Sequence, residues 1–192
     1  MVDKVSEAVL VPQACTLPDY LAYGLDIVFV GINPGIYSVS KGHYFATPTN
    51  RFWPAVRKSL LVGEKMRPET DARILEFGVG LTDLVKRSSQ SSSDLRSQDF
   101  RFGAMALREK MMSFQPRIVC FQGITGYRHY LRYAEEKKDG NLTLGLQPMT
   151  IGLSRVFLVP NPSAANAVYS LEDLVGWFVE LGRLRDQIRV DD

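Results

Sequence analysis

Two segments of this chain place an asparagine among glycines or prolines directly after an apolar run. The first is residues 31–35, Gly-Ile-Asn-Pro-Gly, and the second is residues 160–166, Pro-Asn-Pro-Ser-Ala-Ala-Asn. Glycine lets another molecule approach the backbone closely, and proline stiffens the chain beside it. We therefore expect Asn33 to present its amide from a rigid support. Taken singly, each segment is also typical of an ordinary turn that ends a strand.

A carboxylate occupies a similar position in a third segment. Asp83 lies near the end of a weaker apolar run, residues 79–85. A carboxylate at the edge of a sheet can take a proton from a reacting group. Aspartate after a strand is also a common cap of a following helix. Both interpretations of Asp83 stay open from the sequence.

The elements that position these residues follow from the pattern of apolar side chains. Short runs rich in Val, Ile and Phe, apolar on both faces, predict interior strands of a covered parallel sheet. Segments with helical spacing lie between them, and Ser170 with Asp173 predicts the start of a last helix. The alternation predicts an α/β sandwich with a mainly parallel central sheet, which binds ligands outside the carboxyl ends of its strands. The predicted strands are residues 26–30, 79–85, 117–121 and 155–159, and the other predicted helices are residues 50–61, 68–77 and 100–114.

Composition limits the class of protein. The chain has 192 residues, 45% of them hydrophobic, which suits one globular domain with a buried core. We expect the core at residues 25–189 and an N-terminal extension at residues 1–24. With 23 Lys and Arg against 21 Asp and Glu, the net charge is only +2. Any affinity for nucleic acid must therefore come from a local patch.

The cysteines and histidines do not form a metal-binding pattern. Cys15 and Cys120 are far apart, and Cys120 lies in an apolar run where a buried thiol is expected. Together with His43 and His129 they lack the spacing of a zinc site or an iron–sulfur cluster, so we expect no metal and no disulfide framework. Residues 1–11 have no basic segment followed by an apolar core, and no stretch of about 18 apolar residues occurs, so we expect a cytosolic protein.

Three separated motifs together resemble the mismatch-specific uracil-DNA and thymine-DNA glycosylase family. They are GINPG at residues 31–35, KGHYFATPTNRFW at residues 41–53 and VPNPSAANA at residues 159–167. The resemblance extends from Leu25 to Leu184. Related single-strand-selective and classical uracil glycosylases carry His where this chain has Asn161, and the iron–sulfur branches need more cysteines than this chain has. The mismatch-specific branch is therefore the better match.

The resemblance implies a three-layer αβα sandwich around a short parallel sheet. It implies a monofunctional enzyme of base-excision repair that hydrolyses the N-glycosidic bond of uracil opposite guanine, with thymine and other damaged pyrimidines as further candidate bases. The expected partner is double-stranded DNA with a G·U or G·T mismatch, the expected state is a monomer, and no cofactor is implied. Because C1′ cannot be reached inside stacked duplex, the nucleotide must be flipped into a pocket, and a mismatch lowers the cost of flipping. Water is the nucleophile, since no lysine is placed by motif to form a Schiff base.

The same resemblance implies roles for the turn after the first strand. Asn33 matches the residue that positions the water near C1′, and it cannot titrate as a general base at neutral pH. Catalysis must then depend on orientation and on stabilisation of charge. The backbone N–H groups of the turn are suited to holding the anion of the leaving base; the turn residues concerned are Gly31, Ile32 and Gly35.

Two further residues are implied for substrate binding and catalysis. Phe45 matches the aromatic residue that stacks on the extruded base, with Tyr44 as the neighbouring alternative. Every pyrimidine presents a flat π-face on which an aromatic ring can stack, so we expect broad base specificity. Asp83 stands where family members commonly show an amide or another residue. It could accept the proton of the water or stabilise the cationic sugar.

The loop at residues 161–166 corresponds to the family's loop that enters the minor groove and fills the gap left by the flipped base. Ala164 and Ala165 stand where some relatives have glycine and a larger wedge residue. A bulky plug is therefore missing unless Asn166 or Tyr169 supplies it, and we expect weaker retention of the extruded nucleotide.

Several residues are candidates for contacts with DNA phosphates. Ser163 could bind a phosphate or simply cap its turn, and Lys41 and His43 could bind phosphates or remain solvated. Residues 88–93 predict a mobile, polar loop. Its basic neighbours could add phosphate contacts or be merely solvated; they are Lys86, Arg87 and Arg96.

Two other functions stay open from the sequence. The first is a nucleotide-binding module that uses the glycine-rich turn as a phosphate cradle. It is disfavoured because neither GxGxxG nor GxxxxGK[ST] follows the first strand. The second is a noncatalytic relative that binds mismatched DNA without cleaving it, and the presence of Asn33 argues against it.

Overall fold

Five strands form one sheet in the computed structural model, which describes residues 16–138 and 140–191. They are β1 (Ile27–Gly31), β2 (Val79–Asp83), β3 (Ile118–Gln122), β4 (Gly145–Ile151) and β5 (Ser154–Val159). The order across the sheet is β2-β1-β3-β5-β4, and all neighbouring strands are parallel except β4 and β5. The predicted mainly parallel sheet is confirmed. Its predicted strands agree with the observed ones to within one or two residues at each end.

Strand β4 is absent from the sequence-based prediction. Buried and exposed residues alternate along it instead of forming a continuous apolar run. It contains Pro148, which lacks a backbone N–H and is tolerated because β4 is an edge strand. The pairing with β5 is also irregular between Leu146 and Thr150. The sequence pattern that indicates the other strands, a continuous apolar run, is therefore missing from β4.

Helices cover both faces of the sheet and complete a three-layer αβα sandwich. On one face α2 and α5 pack against β1, where Phe29 lies between Phe52 and Phe178 at centroid distances of 5.2 and 5.3 Å. On the other face α3 and α4 contribute Leu107 and Tyr130 to a second buried cluster. The predicted fold class is thus confirmed. The helices are α1 (Ile36–Lys41), α2 (Phe52–Lys58), α3 (Ser97–Phe114), α4 (Ile124–Ala134) and α5 (Leu171–Asp191).

Two predicted helical segments differ from the structure. The segment at residues 50–61 is helical only from Phe52 to Lys58, and Leu60 beyond it is 79% exposed with a left-handed backbone. Pro68–Phe77 forms a 3₁₀ helix that is interrupted at Thr70. Proline and clustered polar residues at its start favour this short, tight geometry over a regular α-helix. The prediction for α5 is confirmed, because Ser170 Oγ accepts the backbone N–H of Asp173 at 3.1 Å.

The segment before β1 packs onto the core. Leu17 is buried, and the backbone of Tyr20 exchanges two hydrogen bonds with Leu81 at 2.9 and 3.0 Å. Residue 25 therefore does not mark the edge of packed structure. Cys120 is buried as expected, and burial raises the pKa of its thiol. Cys15 and the features expected at residues 1–11 lie outside the described residues.

Residues 16–138 and 140–191 contain neither a candidate membrane-spanning helix nor a candidate metal-binding cluster. No helix among them combines the length and the apolar composition needed to cross a membrane. Nor do those residues bring three or more His, Cys, Asp or Glu side chains together as ligands for a metal ion.

Candidate active site

The turns after β1 and β5 lie at the same edge of the sheet and line one cavity. Both strands run parallel to β3, which lies between them, so their carboxyl ends point the same way. The cavity has a volume of about 710 Å³. This is the edge at which open α/β sheets bind ligands. The residues predicted for catalysis and base binding all line the cavity, as does the loop after β5 apart from Ala164. The basic candidates for phosphate contacts lie outside its lining; they are Lys41, His43, Lys86, Arg87 and Arg96.

Asn33 is held by its amide nitrogen. Nδ2 donates to Ser89 Oγ at 2.8 Å and to the backbone oxygens of Arg87 and Pro34 at 3.1 and 3.3 Å. These contacts occupy the donor side of the amide and fix its plane. In the described part of the chain, no group donates to Oδ1. The carbonyl side of Asn33 is therefore left as an acceptor beside the cavity, as water positioning requires.

The backbone of the same turn has N–H groups available for a ligand. Among the described residues, the N–H groups of Asn33 and Gly35 donate to no protein acceptor. The turn is nevertheless fixed by two backbone hydrogen bonds of 2.8 Å each. The Leu84 N–H donates to Gly31 O, and the Val85 N–H donates to Ile32 O. Free N–H groups on a rigid turn form a ready site for a negative charge. This agrees with the anion-holding role expected for the turn.

Asp83 ends β2 next to Gly31 and faces the cavity. Asp83 is 4% exposed, and within residues 16–138 and 140–191 its Oδ2 has no hydrogen-bond partner. Burial raises the pKa of Asp83 to about 7, although the Lys86 ammonium opposes that rise. The next helical turn along the chain begins only at Ser92, so the helix-cap interpretation of Asp83 does not hold. A Cβ at position 31 would overlap Asp83 Oδ1, which explains the glycine there.

A cluster of paired charges lies close to Asp83. Asp19 Oδ1 accepts hydrogen bonds from Thr82 Oγ1 at 2.7 Å and Lys86 Nζ at 2.8 Å, and its Oδ2 accepts one from Lys110 Nζ at 2.6 Å. Burial alone would raise the pKa of Asp19, but these hydrogen bonds hold it below its ordinary value. Two ammonium groups are thus engaged by Asp19. Asp83 keeps its raised pKa despite having cations nearby.

The predicted basic loop is largely exposed at residues 90–94, but side-chain contacts tie its first part to the protein. Lys86 is paired as described, and Arg87 Nη2 contacts Asp99 Oδ2 at 2.7 Å. Ser89 is buried and bonded to Asn33. Acidic side chains distant in sequence thus pair with Lys86 and Arg87, and a contact of either with phosphate stays a prediction. Arg96 keeps an exposed position and remains a candidate.

Phe45 is placed to stack on a flat ligand. Its ring stacks on Phe52 with centroids 4.0 Å apart and an interplanar angle of 28°, and it also lines the cavity. Its backbone is left-handed, with φ of 53°, which is uncommon for a bulky residue. Tyr44 is buried at 2% exposure, and its Oη accepts from Lys86 Nζ at 3.3 Å. Phe45 is therefore better placed than Tyr44 to meet a base.

Buried Asp71 anchors the loop that carries Phe45. Its oxygens accept the backbone N–H of Tyr44 at 2.8 Å and the Tyr20 hydroxyl at 3.1 Å, and they lie 3.2 Å from His43 Nδ1. His43 thus belongs to this anchor, a role that the sequence does not reveal. Lys41 is exposed outside the cavity, and its contact with phosphate stays a prediction.

The loop after β5 is fixed from a distance by Arg51, a residue that sequence reasoning missed. The guanidinium donates to the backbone oxygens of Ser163 and Asn166 at 2.8 Å each and also contacts that of Tyr169. The backbone N–H of Arg51 donates to Pro162 O at 3.1 Å. The planar fork of arginine suits several carbonyls at once. The signal in the sequence is only that Arg51 follows the FATPTN segment.

We expect Arg51→Met to lower the affinity for substrate DNA by about tenfold, since hydrogen bonds from a charged group typically contribute about 1.5–3 kcal/mol. Methionine keeps an aliphatic side chain at position 51, but the loop after β5 loses the guanidinium hydrogen bonds that fix its shape. Arg57→Met is the matched control, because Arg57 Nη1 donates to Met66 O at 2.7 Å away from the cavity. Fluorescence anisotropy with labelled duplex measures the difference. Equal losses for the two variants would contradict this role of Arg51.

Within the same loop, the predicted DNA-binding residues bond mainly to one another. Asn161 Oδ1 accepts the backbone N–H of Ser163 at 2.9 Å, and Asn166 Nδ2 donates to Asn161 O at 3.1 Å. Ser163 Oγ in turn accepts the N–H of Ala165 at 3.4 Å, as its turn-capping interpretation expects. Ala164 is exposed at the tip. The Asn166 side chain is engaged inside the loop, which leaves Tyr169, a residue that lines the cavity, as the candidate for a bulky plug.

Gln122 is a second residue that the sequence analysis missed. It ends β3, lines the cavity and is 3% exposed. Its Nε2 is buried with no hydrogen-bond partner in the described part of the chain. The available signal was a polar residue at the end of an otherwise apolar run, residues 117–122.

With this geometry in place, comparison with known proteins defines the class. Residues 18–180 match the family model of the uracil DNA glycosylase superfamily. This match covers well over half of the chain, and the chain therefore belongs to that superfamily.

A solved structure agrees with this assignment at the level of the fold. It is the solution NMR structure of a candidate uracil DNA glycosylase from Methanosarcina acetivorans, which superimposes with a TM-score of 0.55. The two proteins share 22% sequence identity, and the match covers 88% of this chain and 98% of the other. At this identity the likeness supports the fold alone.

Proposed function

We propose that this protein is a monofunctional DNA glycosylase that hydrolyses the N-glycosidic bond of uracil mispaired with guanine. The observation that carries the proposal is the shared cavity, which is lined by both Asn33 and the buried Asp83. Asn33 lies two residues after Gly31, and Gly31 pairs with Asp83 in the sheet. Membership of the uracil DNA glycosylase superfamily supports the reaction class. The mismatch-specific subtype rests on the three sequence motifs.

In the proposed reaction, the flipped base stacks on Phe45 and the sugar faces Asn33. Asn33 Oδ1 accepts a hydrogen bond from water and aims it at C1′, while the turn N–H groups meet the negative charge on the leaving base. Ionised Asp83 accepts the proton of the water or stabilises the cationic sugar. The products are a free pyrimidine and an abasic site.

Contacts with the duplex are proposed for surfaces around the cavity. Lys41 and Ser163 would meet phosphates, and the loop with Ala164 and Ala165 would enter the minor groove. Two small alanines fill little of the gap that a flipped base leaves. We therefore propose that the enzyme relies on the instability of a mismatch more than on a wedge to extrude its substrate.

The proposal is tested with end-labelled 30-mer duplexes under enzyme excess, followed by alkaline cleavage at abasic sites. We expect excision from G·U duplex about tenfold or more faster than from A·U duplex, because a mismatched base costs less to flip. Tight binding to the G·U duplex without excision would favour the noncatalytic relative. No binding to DNA together with binding of a free nucleotide would favour the nucleotide-binding module.

A further inference from the structure

Two exposed arginines on α3 and α4 are held against one tyrosine ring. The guanidinium carbons of Arg101 and Arg132 lie 5.8 and 5.5 Å from the ring centroid of Tyr133. Within residues 16–138 and 140–191, neither arginine forms an ion pair with a carboxylate. A cation–π contact holds the face of a guanidinium and leaves its N–H edges for another partner. We call Arg101 and Arg132 the arginine pair.

Acidic side chains in this part of the chain do not neutralise the arginine pair. Asp99 is paired with Arg87 at 2.7 Å, and Glu135 with Arg108 at 3.3 Å. Two other glutamates are exposed and form no ion pair in the described part of the chain; they are Glu109 and Glu136. Two cations held at one ring repel each other. An anion that contacts both of them removes this repulsion.

The tyrosine between the arginines is positioned by rings that join the two helices. Buried Phe100 of α3 stacks on His129 of α4, with centroids 3.7 Å apart and an interplanar angle of 8°. The ring of Tyr133, one helical turn further along α4, is parallel to that of His129 to within 4°. The arginine pair is therefore supported by packed elements, so a ligand has little side-chain motion to arrest when it binds.

The arginine pair lies a short way from the rim of the cavity. Helix α4 begins at Ile124, which lines the cavity, and Arg132 follows eight residues later, about 12 Å along the helix axis. Helix α3 begins five residues after Ser92, which also lines the cavity, and Arg101 is four residues further, about 6 Å along that axis. Each strand of duplex DNA carries one phosphate for about every 3.4 Å of its axis, so about 12 Å spans three to four base pairs.

We propose that the arginine pair binds the phosphate backbone of the substrate duplex three to four nucleotides from the extruded base. The inference rests on the proposed function, because it takes substrate DNA as the ligand. The net charge of the chain is only +2, so affinity for DNA needs a local concentration of positive charge. The planar fork of each guanidinium matches the oxygens of a phosphate. Proximity to the cavity favours DNA over an acidic protein as the partner.

The test measures the affinity for a 30-mer G·U duplex by fluorescence anisotropy at several salt concentrations. The double variant Arg101→Gln/Arg132→Gln should bind about tenfold more weakly, and the slope of log Kd against log salt should fall by about 2, because each phosphate contact contributes about 0.9 to it. A fully matched duplex should show the same loss, since phosphate contacts carry no sequence information. The double variant Arg101→Lys/Arg132→Lys keeps both charges and should restore the slope.

Arg155→Gln is the matched control. Arg155 is also exposed and has no ion pair in the described part of the chain, but it lies near the start of β5, at the edge of the sheet opposite the cavity. Its substitution should leave both the affinity and the slope at their wild-type values.

Four further duplexes locate the contact. Each carries uncharged methylphosphonate linkages at the third and fourth phosphates from the uridine, on one strand and on one side. One of the four should bind the wild type about tenfold more weakly, and the glutamine double variant should show no further loss on that duplex, because the contact is already missing. Losses that add on all four duplexes would overturn the assignment.

The outcomes distinguish this surface from the proposed function. If the wild type excises uracil while the glutamine double variant keeps the wild-type affinity and slope, the arginine pair does not bind DNA and the proposed function stands. If the wild type binds duplex but excises no uracil, and the double variant still loses affinity and slope, the proposed function fails and the surface stands.

Discussion

Replacing Asn33 by alanine is expected to slow single-turnover excision of uracil from G·U duplex by about a hundredfold or more, because misplacing a reacting group by about 1 Å can already cost that much. The amide is held by Ser89 and the backbone of Arg87, and its carbonyl is left for water. Alanine keeps the turn but removes the acceptor. Binding of the duplex should stay within about threefold of wild type, since the lost acceptor orients water and holds no DNA.

Asn141→Ala provides the comparison, because Asn141 is exposed and does not line the cavity. Its excision rate should equal that of the wild type. If Asn33→Ala excised uracil at the wild-type rate, water positioning by Asn33 would be refuted. If it weakened binding of the duplex but left the rate at saturating enzyme unchanged, Asn33 would contribute to binding and not to positioning of the water.

Asp83→Asn is the second substitution with a large expected effect. Burial raises the pKa of Asp83 from 3.8 to about 7, so the carboxyl is ionised mainly above that pH. A general base acts in its ionised form, and the wild-type rate should therefore rise with pH through about 7. The variant should lose about a hundredfold at pH 8, where the base is fully ionised, and less at pH 6.

A full pH–rate profile of the wild type and of Asp83→Asn from pH 5 to 9 makes the measurement, under single-turnover conditions. The variant should show a flat profile. A loss below about tenfold at pH 8, equivalent to about 1.4 kcal/mol, would remove Asp83 from the catalytic machinery. So would a variant that keeps the wild-type midpoint near pH 7.

Stability gives an independent measure of the same ionisation. Because the folded-state pKa of Asp83 lies above its ordinary value, its contribution to stability is full below about pH 4 and is lost as the pH rises to about 7. Asp83→Asn cannot ionise. Denaturant titrations should therefore show the variant gaining stability relative to the wild type between pH 5 and pH 8. If the difference in unfolding free energy between the variant and the wild type were the same at pH 5 and pH 8, the pKa of Asp83 would not be raised by folding.

The turn after β1 and the turn after β5 could be located from sequence because the signals are local. An apolar run followed by Gly, Asn and Pro specifies both the strand and its stiff end within a few residues. The parallel arrangement then brings the two turns to one edge. This is why Asn33 and Asn161 could be placed at one cavity before the fold was known, whereas Phe45 was placed there only through the family resemblance.

The partners of charged groups could not be predicted because they lie far apart in the chain. Lys86 pairs with Asp19 across 67 residues, and Arg51 reaches Ser163 across 112. Composition and spacing show that these side chains are basic but not which acceptor each one meets. The burial of Gln122 depends in the same way on the helices that cover the sheet. Such pairings arise only from tertiary packing.

The most direct test is a crystal structure of the protein with a G·U duplex whose uridine carries fluorine at C2′. Fluorine withdraws electrons from the sugar and so blocks formation of its cation, which preserves the uncleaved nucleotide. We predict the uracil ring out of the helix, stacked on Phe45 between the turns after β1 and β5, with a water bridging Asn33 Oδ1 and C1′. A uracil still stacked in the duplex, or bound on another face of the sheet, would contradict the account.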